Sequence, residues 1–361
     1  MTEPRRYRVE DVFRFSCAVL EKLSVSPAEA AVVSECLTQG DLRGIDSHGI
    51  IRLPVYARRL RKGVVNPCPK VRVTVEHAAA ALLDGDNGLG AVVGSKAMAK
   101  AIELAATAAI GFVAVRRSNH FGIASFYTQK AVQQRLIGCA ASNAPSHMAP
   151  FGGRARFLGT NPFSVAIPAG LEPPFLFDAS TSVVARGKII VAAQEGKSIP
   201  PGWAIDREGN PTTNANEGLL GSVLPFGGPK GSAISLLIDI LCGVFTGSAF
   251  ALHLNTLENL EAEQDLGHVF VAMRTDLFMS SAEFASRMDE MLRALRSSPP
   301  APGADRVMAP GEIERQYEAR NRTLGIPLLK SVVDQLTKLG AELNVEFPDP
   351  KMTEAPAEAH Q

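Results

Sequence analysis

The chain has 361 residues, 46% of them hydrophobic and 20% charged, with 37 Lys plus Arg balanced by 37 Asp plus Glu. That balance excludes the basic excess of a nucleic-acid binder and the acidic excess of a solvating chain, and the length allows two domains or one with an added layer. Five cysteines (Cys17, Cys36, Cys68, Cys139, Cys242) stand singly, with no C-x-x-C pair, so they read as core thiols in a reducing cytoplasm.

The first ten residues are polar and contain no apolar signal core, which argues against secretion. Helical apolar spacing covers 9–23. Ser26-Pro27-Ala28-Glu29 then has the form of a capping box, opening a helix that ends near Gly40. Arg43-Gly44-Ile45-Asp46-Ser47-His48-Gly49 follows, with Arg52 and Tyr56 beyond it. If 50–60 is helical, His48, Arg52 and Tyr56 stand at i, i+4 and i+8 on one face. That face would carry a proton-transfer group, a fixed positive fork and a phenol, suited to acid–base chemistry on a small anion. Local sequence alone favours a plainer reading: Asp46 or Ser47 caps a helix and Arg52 is solvated. Asn66-Pro67-Cys68-Pro69 marks a break, so 1–70 forms a helical N-terminal layer.

Short strands are expected at 71–75 and 79–83, then a glycine turn and an alanine-rich helix at 95–109. Gly88-x-Gly90-x-x-x-Gly94 imitates a dinucleotide-binding turn but places its third glycine one residue late. The next strand, 111–115, ends in Arg116-Arg117 instead of an acid. Arginines there would suit a 2′-phosphate only under that dinucleotide reading; an ordinary turn and helix start is preferred. Ser118-Asn119-His120-Phe121-Gly122 follows directly, at a strand end where ligand groups gather. His120 is therefore a second acid–base candidate, unless its ring merely bonds a loop carbonyl.

Strands at 137–142, 163–167 and 175–178 follow. The first ends in Ser142-Asn143 and the last in Asp178-Ala179-Ser180-Thr181-Ser182. Those hydroxyls and N–H groups suit phosphate or ribose, or else cap a helix running on through Arg186-Gly187-Lys188. Pro225-Phe226-Gly227-Gly228-Pro229-Lys230-Gly231 is a glycine-rich loop with a lysine before a helix, although P-loop spacing is absent. The apolar run 232–244, interrupted by Asp239, is too short for a membrane span and predicts a buried helix. A strand at 268–274, helices at 281–297 and 312–323, and a last helix opened by Ile326-Pro327 complete the chain; 346–361 reads as a disordered tail. No histidines have metal-site spacing, and no G-x-S-x-G elbow supports a hydrolase built on Ser47 and His48.

In this order the motifs resemble the type 2 malate/L-lactate dehydrogenase family, which also holds ureidoglycolate and sulfolactate dehydrogenases, diketogulonate reductases and cyclic-imine reductases. The resemblance spans residues 8–340. It rests on Arg43 to Gly49 with Arg52 and Tyr56, Ser118 to Gly122, Pro150 to Gly153 with Gly159 to Pro162, Asp178 to Ser182 with Gly187-Lys188, Pro225 to Gly231, and Pro310-Gly311-Glu312. It implies an α/β fold whose mixed-sheet NAD(P)-binding domain, 71–300, is not a Rossmann domain. The helical layer would come from the substrate-side segment 1–70 and C-terminal helices in 301–345.

The same resemblance implies substrate and acid–base roles for Ser47, His48, Arg52, Tyr56 and His120. It implies contacts to NAD or NADP at His120, Ser142, Asp178, Ser180, Thr181, Lys188, Lys230, Pro310, Gly311 and Glu312. Gly88, Gly90 and Gly94 would then hold no cofactor. The expected enzyme is a cytoplasmic homodimer or higher homo-oligomer acting on a small 2-hydroxy or 2-oxo acid, with no metal, nucleic acid or membrane partner. Members differ in whether the residue matching His48 or His120 is the proton donor. In the cyclic-imine branch an acid is expected at the position of Lys188, so lysine favours oxo acids over imines. A Ser47–His48 hydrolase is the distant alternative and would act without nucleotide.

Overall fold

The computed structural model describes residues 4–350. The chain divides into two compact units: the residues up to Gly63 together with those from Glu312 onward, and Val64–Gly311. The first unit opens with β1 (Arg5–Tyr7), α1 (Val9–Lys22), α2 (Pro27–Leu42) and α3 (Leu53–Arg61). The second contains β2 (Arg72–Glu76), β3 (Ala80–Asp84), α4 (Gly90–Ala108), β4 (Ile110–Ser118), α5 (Ser125–Gln133), β5 (Ile137–Ser142), β6 (Phe163–Ile167) and β7 (Phe175–Ala179). It continues with α6 (Arg186–Gln194), β8 (Ala204–Ile205), β9 (Pro211–Thr212), α7 (Ala215–Leu220), β10 (Ser222–Val223), α8 (Pro229–Asp239), β11 (Leu266–Met273) and α9 (Ser281–Arg296). The chain returns to the first unit as α10 (Glu312–Leu324), β12 (Ile326–Leu328) and α11 (Lys330–Leu343).

In the first unit, α1 buries Val12, Phe15, Ser16, Val19 and Leu20, the stripe that helical spacing demands. Ser26 caps α2 by accepting from the Glu29 N–H at 3.4 Å, with Pro27 in the first turn. Ile326 and Pro327 do not open a helix. They lie in β12, antiparallel to β1 with Tyr7 opposite Ile326, and α11 starts only at Lys330. A two-stranded ribbon tolerates a proline, because an edge position needs no N–H there. Phe347, expected in a tail, packs edge-on against Phe15 at 4.9 Å and against Tyr7 at 5.3 Å. The rest of that expected tail, 351–361, lies outside the described residues.

The second unit is built on a seven-stranded sheet in the order β2-β3-β4-β11-β5-β6-β7. Only β3 and β4 run parallel; the remaining pairs are antiparallel. A doubly wound dinucleotide fold needs a run of parallel strands and a switch point between them, and one parallel pair supplies neither. The glycines at the start of α4 serve packing instead. A β-carbon on Gly90 would lie 2.1 Å from the Asn119 carbonyl oxygen, and one on Gly94 would lie 2.7 Å from the Tyr127 ring. Gly90 thus seats α4 against the loop that carries His120, and Gly94 seats it against Tyr127 of α5.

A smaller sheet, β10-β8-β9, with α6 and α7 encloses Ile189, Ile199, Ala204, Ala215 and Val223. Residues 180–185 are not helical as expected. Thr181 N–H donates to Thr160 and Val183 N–H to Leu224, and α6 begins at Arg186. The expected buried helix is α8 continued by a π turn, Ile240–Val244. Ile238 and Cys242 are buried with Ala114 and Val269, but Leu237 is 54% and Phe245 65% exposed. The run is apolar on both faces, so periodicity could not mark which face meets the core. Among the described residues no helix is long and apolar enough to cross a membrane.

Candidate active site

The motif in the first unit is shaped by Asp41. Its buried carboxylate accepts the Ile50 N–H at 2.8 Å, and a β-carbon on Gly49 would lie 1.8 Å from its Oδ1. Only glycine lets the chain pass so close. Gly49 is extended (φ −86°, ψ −151°) and separates two short 3₁₀ turns, Asp46–His48 and Ile50–Arg52. His48 therefore does not share one helical face with Arg52 and Tyr56; only Tyr56 lies within α3, and Arg52 is its N-cap. Neither Asp46 nor Ser47 caps that helix through its side chain.

Ser47, His48 and Arg52 nevertheless come together. The Ser47 hydroxyl lies 2.9 Å from His48 Nδ1, and Arg52 Nε donates to the Ser47 carbonyl at 2.7 Å. Burial, then the Arg52 charge, lowers the His48 pKa to about 4, so the ring is neutral at pH 7. Burial raises the Tyr56 phenol above its ordinary value, keeping it protonated. Behind the motif, Arg43 pairs with Glu318 at 3.0 Å, and the Asn321 amide donates to the carbonyls of Asp41 and Leu42. These supports were not singled out from the sequence. A carboxylate at position 41, among the apolar residues of α2, was the available signal.

In the second unit, the His120 N–H donates to Gln264 Oε1 at 3.0 Å, and the Gly122 N–H points to His120 Nδ1 at 3.4 Å. The Asn119 amide staples this loop to the glycine turn, donating to the carbonyls of Asn87 and Gly88. Asp178 Oδ2 accepts the Ser125 N–H at 2.7 Å, at the positive end of α5. Ser180 and Ser182 hydroxyls lie 3.0 Å apart. Thr181 is fully buried, yet its hydroxyl has no hydrogen-bond partner among the described residues.

The remaining candidates differ in availability. The Ser142 hydroxyl is buried and donates to the Asn143 carbonyl at 2.8 Å. Lys188 and Lys230 are exposed, Lys230 in the first turn of α8. The Pro310 carbonyl is tied to β7 through the Leu176 N–H, Gly311 has φ +90°, and Glu312 is buried at the start of α10. Arg116 and Arg117 flank Asp84 at 3.4 and 3.1 Å. Among the described residues no group of three or more His, Cys, Asp or Glu side chains could hold a metal ion.

Two further histidines titrate low. Burial, then Arg186 and Arg156, lowers His147 to about 4, and burial lowers His268 to about 3. An unfolded histidine titrates near ~6.5, so between ~4 and ~6.5 the unfolded chain binds more protons at these positions. Their contribution to stability is complete above about pH 6.5 and is lost as pH falls toward 4. Asp41, raised by burial, opposes the trend, so a single replacement isolates it. His147→Gln is expected to reduce the pH slope of unfolding free energy between pH 6.5 and 5 by about one proton. Denaturant titrations across that range measure the slope; an unchanged slope would mean that His147 is protonated in the fold.

One unit is an antiparallel-rich α/β fold with polar strand ends, and the other, helical, carries a neutral imidazole beside a guanidinium tied to the backbone. The family model described as malate/L-lactate dehydrogenase matches residues 7–337. The chain is 39% identical over 345 residues to the malate dehydrogenase of Pyrococcus abyssi, covering 93% of this chain and 94% of that protein. It is 38% identical over 331 residues to the L-sulfolactate dehydrogenase of Methanocaldococcus jannaschii, covering 92% and 95%. The solved structure of sulfolactate dehydrogenase from the same organism matches with a TM-score of 0.90 at 37% identity, covering 96% of this chain and 99% of that one. The chain belongs to the malate/L-lactate dehydrogenase family, and it is a dehydrogenase with that family's mixed α/β fold.

Proposed function

We propose that this enzyme exchanges a hydride between a nicotinamide cofactor and C2 of a small 2-hydroxy or 2-oxo acid. The observation that carries the reading is the Ser47–His48–Arg52 cluster, a neutral base beside a guanidinium anchored on the backbone. The cofactor, when bound, accepts or supplies the hydride. Arg52 clamps the carboxylate, and its tether to the Ser47 carbonyl holds the fork in place. His48 takes the hydroxyl proton during oxidation and returns it during reduction, with Ser47 on Nδ1 orienting the ring. Tyr56 stays protonated as a hydrogen-bond donor. His120 is the rival proton-transfer group. The Gly122 N–H on Nδ1 favours the tautomer that carries its proton on Nε2.

Two features of the second unit fit a dinucleotide. The buried Thr181 hydroxyl has no hydrogen-bond partner among the described residues. The first turn of α8 follows the left-handed Gly228 and receives no side-chain cap, which suits a diphosphate. We assign cofactor contacts to His120, Ser142, Asp178, Ser180, Thr181, Lys188, Lys230 and the Pro310-Gly311-Glu312 loop. The buried Ser142 hydroxyl is already hydrogen-bonded, and its N–H donates to the Pro162 carbonyl at 3.1 Å. Lysine at 188 favours oxo acids over cyclic imines. The exposed apolar face of α8 and its π turn, with Leu237, Val244 and Phe245, is assigned to a second copy.

A spectrophotometric screen tests this reading: oxaloacetate, pyruvate, sulfopyruvate and a cyclic imino acid, each with NADH and with NADPH. Oxidation of a reduced nucleotide by at least one oxo acid, faster than by the imine, is expected. Turnover of the imine alone would replace this reading with an imine reductase, and nucleotide-independent ester cleavage with a hydrolase. Light scattering on the same preparation is expected to show two or more chains; a monomer would remove the interface assignment.

A further inference from the structure

His268 is a fully enclosed titratable group of the second unit, with 0% exposure, and no step above uses it. It stands on β11, which runs between β4 and β5. The pairing with β4 shifts register between Leu266 and His268, a bulge of the kind that re-aims a side chain. The ring reaches both neighbouring strands: Nε2 lies 2.8 Å from the hydroxyl of Ser118, the last residue of β4, and Nδ1 lies 2.8 Å from that of Ser142, the last residue of β5. Ser142 spends its own proton on the Asn143 carbonyl, so its oxygen accepts from His268 Nδ1–H. His268 Nε2 then accepts from the Ser118 hydroxyl. The bonds run in one direction from β4 to β5.

The same ring stacks on Phe121, with centroids 4.7 Å apart and planes 9° from parallel. Phe121 follows His120 directly. The loop is thus gripped at Ser118 before His120, at Phe121 after it, and at the His120 N–H by Gln264, itself 1% exposed. Backbone groups of Asn119 and Gly267 also hydrogen-bond the ring, so it is held by strand-end hydroxyls and by backbone together. A buried polar chain across three strand ends is costly unless every member is paired, and it then fixes one arrangement.

We propose that His268 is a positioning residue for His120: clamped between Ser118 and Ser142 and stacked on Phe121, it holds the His120 ring in its reactive orientation. This rests on the reading that His120 takes part in the reaction or in cofactor contact. His268→Phe keeps a planar ring but loses both bonds, and His268→Gln restores a group near the Nε2 position that can meet Ser118.

The test is a double-mutant cycle on the full-length enzyme, with kcat, KM for the preferred oxo acid and thermal midpoints measured throughout. His268→Phe is expected to lower kcat about tenfold or more with KM little changed, since small misplacements of reacting groups are costly. His268→Gln should recover part of the loss. In the His120→Asn background the same replacement should cost about twofold or less, because the group being positioned is gone. Wild-type kcat in a folded His268→Phe variant, or losses that add fully across the cycle, would overturn the proposal. If His268→Phe does not fold, Ser118→Ala enters the cycle in its place under the same criteria. Wild-type turnover in His120→Asn alone would overturn the role of His120 itself, a result distinct from additivity.

Discussion

Replacing His48 with Asn is expected to lower kcat by about two to four orders of magnitude, the usual worth of a general acid–base group. Circular dichroism of the variant should be unchanged. The 3₁₀ turn that carries the ring is set by Asp41, the Ile50 N–H and Gly49, not by the imidazole. With its pKa lowered to about 4, below the near-neutral value expected of a proton-transfer histidine, His48 is an acceptor but a weak base at neutral pH. His120→Asn, measured in parallel, assigns the role. The residue that transfers the proton loses turnover in both directions, whereas one that only contacts the cofactor raises KM for the nucleotide. If both variants retain wild-type kcat, acid–base catalysis by either histidine is excluded.

Arg52→Lys is expected to raise KM for the oxo acid roughly 10- to 100-fold, about 1.5–3 kcal/mol, the worth of a hydrogen bond to a charged group. Lysine keeps the charge but loses the planar fork and cannot reproduce the Nε bond to the Ser47 carbonyl. The clamp would lose its second hydrogen bond and its tether together. KM for the nucleotide should stay near wild type. An unchanged KM for the oxo acid would remove Arg52 from carboxylate binding.

Much of the architecture is legible in the sequence. Apolar runs and turn residues placed β5 and β6 at their observed bounds, and the capping pattern of Ser26 marked the start of α2. The ordered motifs pointed to the family that the comparisons establish. The failures share a cause. Ile326-Pro327 looked like a helix start because its partner, β1, lies at the other end of the chain. The 232–244 run looked buried because its two apolar faces are indistinguishable in one dimension. His48, Arg52 and Tyr56 looked like one helical face because nothing local announces that the Asp41 carboxylate lies against Gly49.

The sequence by itself determined the local elements, the residue types at the motif and the family, since caps, periodicity and turn chemistry act within a few residues. Tertiary structure decided how the candidate residues are presented. The Ser47–His48–Arg52 cluster exists because a buried carboxylate bends the chain at Gly49. The imitation dinucleotide turn became a packing device for the His120 loop, because α4 lies directly against it. His268 could have been read as one more polar residue in an apolar strand. It links two strand ends only because β11 inserts beside β5, bringing together side chains 126 residues apart. Contacts of that range depend on strand order and register, which local interactions do not encode.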